Sequence, residues 1–126
     1  MSLSLLRRSL AIVAIASISQ FSFADDASAT KAIAGILVNL NHFPSDSEKL
    51  TLMGITADSN NSMAIHTIAS AIHDMRHTAS DDAKAALGKI SADGSVSAEV
   101  RSLADIVMSI NHMPSADDKA KLAAMM

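Results

Sequence analysis

The sequence contains no cysteine, no tryptophan and no tyrosine, and three phenylalanines are its whole aromatic content. Without cysteine there is no disulfide, no thiolate chemistry and no lipid attachment point at a leader cleavage site. Stability must therefore come from packing alone. So few rings exclude the stacking platforms on which single-stranded nucleic acids bind. Four glycines and two prolines cannot supply a glycine-rich phosphate cradle, and no strand pattern precedes any of them. The net charge of −3 sets the chain against phosphate backbones and anionic lipid.

The longest apolar run, Leu10 to Ile18, is far shorter than the roughly 20 residues a membrane-spanning helix needs. It follows Arg7 and Arg8 and precedes Ser22-Phe23-Ala24, the order of a cleavable signal peptide covering residues 1–24. The chain is thus expected to be exported to a Gram-negative periplasm, with a single helical domain over residues 25–126 and no stable membrane insertion after cleavage. Loss of both leader arginines moves the net charge from −3 to −5, and Phe43 becomes the only aromatic residue.

Against itself the sequence repeats with a period of 35 residues. Leu40-Asn41-His42-Phe43-Pro44-Ser45 lies over Met75-Arg76-His77-Thr78-Ala79-Ser80 and over Ile110-Asn111-His112-Met113-Pro114-Ser115. Lys49, Lys84 and Lys119 share a column, as do Leu52, Leu87 and Leu122, and upstream Ile33, Ile68 and Leu103. Three units follow, over 25–59, 60–94 and 95–126, each read as two helices joined by a tight turn.

Ile33, Ile36, Leu37 and Leu40 form one apolar helical stripe, and Leu103, Ile106, Val107 and Ile110 repeat it. Pro44 and Pro114 push the residue before them out of the helical region, so the first helix of a unit stops near its histidine. Ser45, Ser80 and Ser115 then cap the second helix, with Glu48 completing a capping box and aspartates filling the first turns. Ser62 and Ser97 cap the next units. The expectation is an all-α fold of three tandem helical-hairpin repeats, six helices in all, as a compact bundle or a short α-solenoid.

The five histidines carry the only obvious chemistry. His42, His77 and His112 recur at the repeat period, at the ends of first helices, where an imidazolium suits unpaired carbonyls and the helix dipole. His66 and His73 occur in the second unit alone. At about 100° per residue, His66, His73 and His77 share one helical face. An i, i+4 pair such as His73 and His77 can chelate Zn²⁺, Cu²⁺ or Ni²⁺, with His66 as a more distant third ligand and Asp74 or Met108 as additions. Met75 and Met125 replace Leu40 and Ile55 in apolar columns and read as core, not as copper ligands.

No nucleophile elbow, paired-carboxylate site or other acid/base constellation is present, so no enzyme and no organic cofactor is expected. The leading reading is a non-enzymatic periplasmic module that binds a protein or peptide partner, with the contact edge at His42, Phe43, His112 and Met113. The alternatives are a metal-binding protein using the second-unit stripe and a small stress chaperone.

Overall fold

The computed structural model describes residues 26–126; the expected signal segment 1–24 lies outside the described residues. The chain is all-helical and compact. Helix α1 covers residues 26–38 and is followed by α2 (Asp46–Ala57), α3 (Met63–His73), α4 (Asp81–Ser91), α5 (Ala98–Ser109) and α6 (Ala116–Ala124). No strand occurs among the described residues.

Serine punctuates every helix start from α2 onward. The hydroxyls of Ser45, Ser62, Ser80, Ser97 and Ser115 each accept the backbone amide three residues on, at 3.1–3.3 Å. Each thereby satisfies one donor that the helix itself leaves unpaired. Glu48 closes the capping box on Ser45, its carboxylate accepting the Ser45 amide at 2.9 Å. Asp26 reaches across the fold, its carboxylate accepting the Ser62 amide at 2.9 Å and tying the start of α1 to the cap of α3.

The helices divide into an inner and an outer set. Along α1, α3 and α5 the apolar stripe is fully used. Ile33, Leu37 and Leu40, then Ile68, Ile72 and Met75, then Leu103, Val107 and Ile110, are all buried. Met75 thus fills a core column as its spacing predicts, a flexible hydrophobe where its counterparts are leucine and isoleucine. The outer helices contribute far less: α2 buries Leu52 alone, α4 buries Leu87 and Ile90, and α6 buries Leu122 alone. Burying one leucine is worth about 1.5–3 kcal/mol, so each outer helix is docked chiefly by that column.

The packing partners differ from those drawn from the sequence. α4 packs more extensively on α5 than on α3, and α2 packs closely on α3, so the intimate pairs cross the boundaries placed near residues 59 and 94. The short connections 58–62 and 92–97 fold α2 back on α3 and α4 back on α5. At the histidines, by contrast, the chain leaves each inner helix at a sharp corner. A side-chain carbon added at Gly88 of α4 would lie 3.9 Å from Met108 Sδ on α5. One added at Gly35 of α1 would lie 3.9 Å from Met126 Cε, which follows α6. The last outer helix therefore ends beside the first inner helix, and the bundle closes on itself.

Candidate metal centre

The three corners lie together at one end of the bundle. Each places a histidine in the left-handed backbone region, with φ of +71° at His42, +67° at His77 and +71° at His112. These are the only non-glycine residues with positive φ among those described. In the first corner the Phe43 amide donates to the Asn41 carbonyl at 2.9 Å, and in the second the Thr78 amide donates to the Arg76 carbonyl at 2.7 Å. A hydrogen bond spanning one residue of positive φ defines the γ-turn that is rare because it is strained. Holding a β-carbon in this region costs on the order of 1–2 kcal/mol.

The backbones of the three histidines bond to each other in a closed cycle. The His42 amide donates to the His112 carbonyl at 2.6 Å, that of His77 to the His42 carbonyl at 2.7 Å, and that of His112 to the His77 carbonyl at 2.7 Å. The strained corner turns each peptide inward so that its N–H meets the preceding unit's C=O, the first unit taking the third as its predecessor. The cycle fixes the mutual position of the three α-carbons, and the imidazoles inherit the arrangement. Their ring centroids are 4.9–5.1 Å apart. One ligating nitrogen from each ring lies within 4.8 Å of the other two.

Two of the rings are oriented by a neighbour. His42 Nδ1 is 2.5 Å from Asn41 Oδ1, and His112 Nδ1 is 2.7 Å from Asn111 Oδ1. The amide oxygen only accepts, so Nδ1 carries the hydrogen and Nε2 keeps a free lone pair. Fixing a ring through its second nitrogen is the usual support for a metal-ligating histidine. Unit two has Arg76 in the asparagine column. His42 is half-buried, whereas His77 and His112 are exposed, so the cluster opens to solvent.

Chemically, three imidazoles on one centre offer three nitrogen donors to a divalent transition ion and leave further positions open. Metal–nitrogen bonds of about 2.0–2.1 Å around one ion put the donors about 3.4 Å apart. Small rotations of the two exposed side chains can close the remaining gap.

Of the stripe His66, His73 and His77, only His77 joins this cluster. His66 Nε2 is 2.7 Å from the Asp58 carbonyl, which binds α3 to the exit of α2. His73 Nδ1 is 2.8 Å from Asp74 Oδ1. Of the contact edge drawn through His42, Phe43, His112 and Met113, the two histidines meet in the cluster, and Phe43 and Met113 are 57% and 45% exposed. What the sequence reading missed is the convergence of His42 and His112 on His77. The signal was the 35-residue period itself, which sets His42, His77 and His112 at equivalent positions of the sequence.

Comparison with known protein families, curated proteins and solved structures returns no match for this chain.

Proposed function

We propose that this chain is an exported, non-enzymatic protein of three tandem 35-residue two-helix units, and that it binds one divalent transition metal ion through His42, His77 and His112. The observation that carries the reading is the convergence of three imidazoles on a closed backbone cycle. Three further features support it. The histidines occupy strained corners where glycine would be the unstrained choice, and strain of this kind concentrates at functional sites. Two of them have their second nitrogen held by asparagine. Imidazole donors suit Zn²⁺, Cu²⁺ and Ni²⁺. Binding is favoured over catalysis because the cluster is open to water.

The test is calorimetric titration of the protein with Zn²⁺, Cu²⁺ and Ni²⁺. One ion per chain is expected, with binding weakened at least tenfold in each of His42→Ala, His77→Ala and His112→Ala and kept in a His66→Ala, His73→Ala double variant. Loss of binding in the double variant alone would return the site to the α3 stripe. Binding of a protein or peptide partner at the same end stands as a second reading, favoured by the exposed Phe43 and Met113.

A further inference from the structure

The three corners are alike in backbone but not in surroundings, and the differences gather around His77. Where the first and third units have asparagine, the second has Arg76. Where they have Val38 and Met108, it has His73, and where they have Asn39 and Ser109, it has Asp74. All three substituted residues, with His77 itself, line one surface hollow of about 550 Å³, completed by Phe43, Lys49 and Met75. Only the second unit's corner combines these polar departures.

The charges in it are biased. Arg76 and Lys49 are its cations. Its one carboxylate, Asp74, faces His73 at 2.8 Å. The wall thus sets two positive groups against one carboxylate in a chain whose overall charge is −3. Phe43, more than half exposed, adds an apolar surface. His77 belongs both to this wall and to the imidazole cluster, so an ion held by the cluster would border the hollow.

We infer that the hollow beside His77 binds a small organic carboxylate, which completes the coordination of the metal while Arg76 and Lys49 hold its charge and Phe43 its apolar body. The inference rests on the metal reading and names the co-ligand of that same site. Three imidazoles carry no negative charge, so a divalent ion among them retains its full positive charge and draws an anion to its open position. A guanidinium matches a carboxylate with two parallel hydrogen bonds, which a lone ammonium cannot do. A hollow of this size admits a molecule of amino-acid dimensions or somewhat larger.

The experiment titrates Zn²⁺ into the full chain in chloride and in benzoate at equal ionic strength, with acetate as the carboxylate lacking an apolar body. Benzoate is expected to raise the apparent Zn²⁺ affinity about fivefold, the effect of roughly one charge-assisted contact in a half-open site, and acetate less. Arg76→Asn restores the residue of the other two units; it should keep or strengthen Zn²⁺ binding in chloride while abolishing the benzoate effect. Lys49→Met should reduce the effect. Equal affinity in benzoate and chloride, or a benzoate effect that survives Arg76→Asn, would overturn the carboxylate inference and leave the metal reading standing. Failure of Zn²⁺ to bind in chloride and in benzoate alike would overturn both.

Discussion

Replacing His77 separately by glycine and by alanine isolates the strain at the corner. Both substitutions remove the imidazole and both leave the backbone free to form the same hydrogen bonds, so the difference between them reports φ of +67° and little else. Alanine retains the clash of its β-carbon in the left-handed region, on the order of 1–2 kcal/mol. Glycine escapes it but loses about 0.5–1 kcal/mol through its freer unfolded chain. The glycine variant should therefore be the more stable by about 0.75 kcal/mol at the midpoints of these ranges, which for a domain of this size is a difference of about 3–6 °C in Tm. Without tryptophan or tyrosine, intrinsic fluorescence is a poor probe, and unfolding is best followed by far-UV circular dichroism in urea and on heating. Alanine as stable as glycine would refute the claim that the corner is strained. Added Zn²⁺ then separates structure from function. A ligand at about 100 times its Kd stabilises the native state by about 2.7 kcal/mol, so the wild type should gain on that scale and variants that bind at least tenfold more weakly about 1.4 kcal/mol or less.

Other predictions concern the scaffold. Leu122→Ala removes the one buried side chain of α6 and should cost about 2–5 kcal/mol, seen as a lower urea midpoint. Ser45→Ala should cost about 1 kcal/mol by leaving the Glu48 amide without its hydroxyl acceptor, with the loss of helicity confined to α2 in amide exchange. Asp93 accepts from the Ser95 hydroxyl and amide, which holds its pKa below the ordinary 3.8. The stabilisation this brings is present above pH 3.8 and is lost as the pH falls through the lower folded value. In Ser95→Ala, NMR titration of Asp93 should show its pKa rising toward 3.8, and an unchanged value would remove the hydroxyl as its main cause.

The helices were legible because each of their signals is local. Serine before an acidic first turn marked the caps at Ser45, Ser80 and Ser115, and stripes such as Ile33, Ile36, Leu37 and Leu40 marked the core. The stop near each histidine was legible too, through the following proline or serine. The hand of the corner was not. Nothing local distinguishes a histidine that ends a helix from one that turns the chain through positive φ, since histidine tolerates both. The partners of the outer helices were likewise hidden. Leu87 announces that α4 must dock somewhere, but α3 and α5 offer equally apolar faces, and only the lengths and angles of the connections choose α5. His66 and His73 attracted a metal reading because they share a helical face with His77, a proximity along one element. The structure instead engages each with a nearby oxygen and brings His77 to histidines 35 residues away on either side.

Periodic placement of His42, His77 and His112 reads as evidence against a single site only if the units form an open row. In a row, equivalent residues stay a repeat's width apart, and three histidines make three separate helix ends. When the row closes, the residue nearest the axis meets its own counterparts, and one side chain repeated three times supplies three ligands. Closure here is recorded in the backbone: the His42 amide on the His112 carbonyl joins the first corner to the last. The backbone cycle positions the rings, so three imidazoles, one half-buried and two exposed, are held with their centroids within 5.1 Å of each other. A site built this way requires that the residue at the corner accept positive φ, that it carry a donor atom, and that its carbonyl and amide both be free for the cycle. Glycine meets the first condition and not the second, proline fails the third, and asparagine meets all three but offers a weak ligand. Histidine satisfies all three and binds metal, which gives a physical reason for its presence at all three corners.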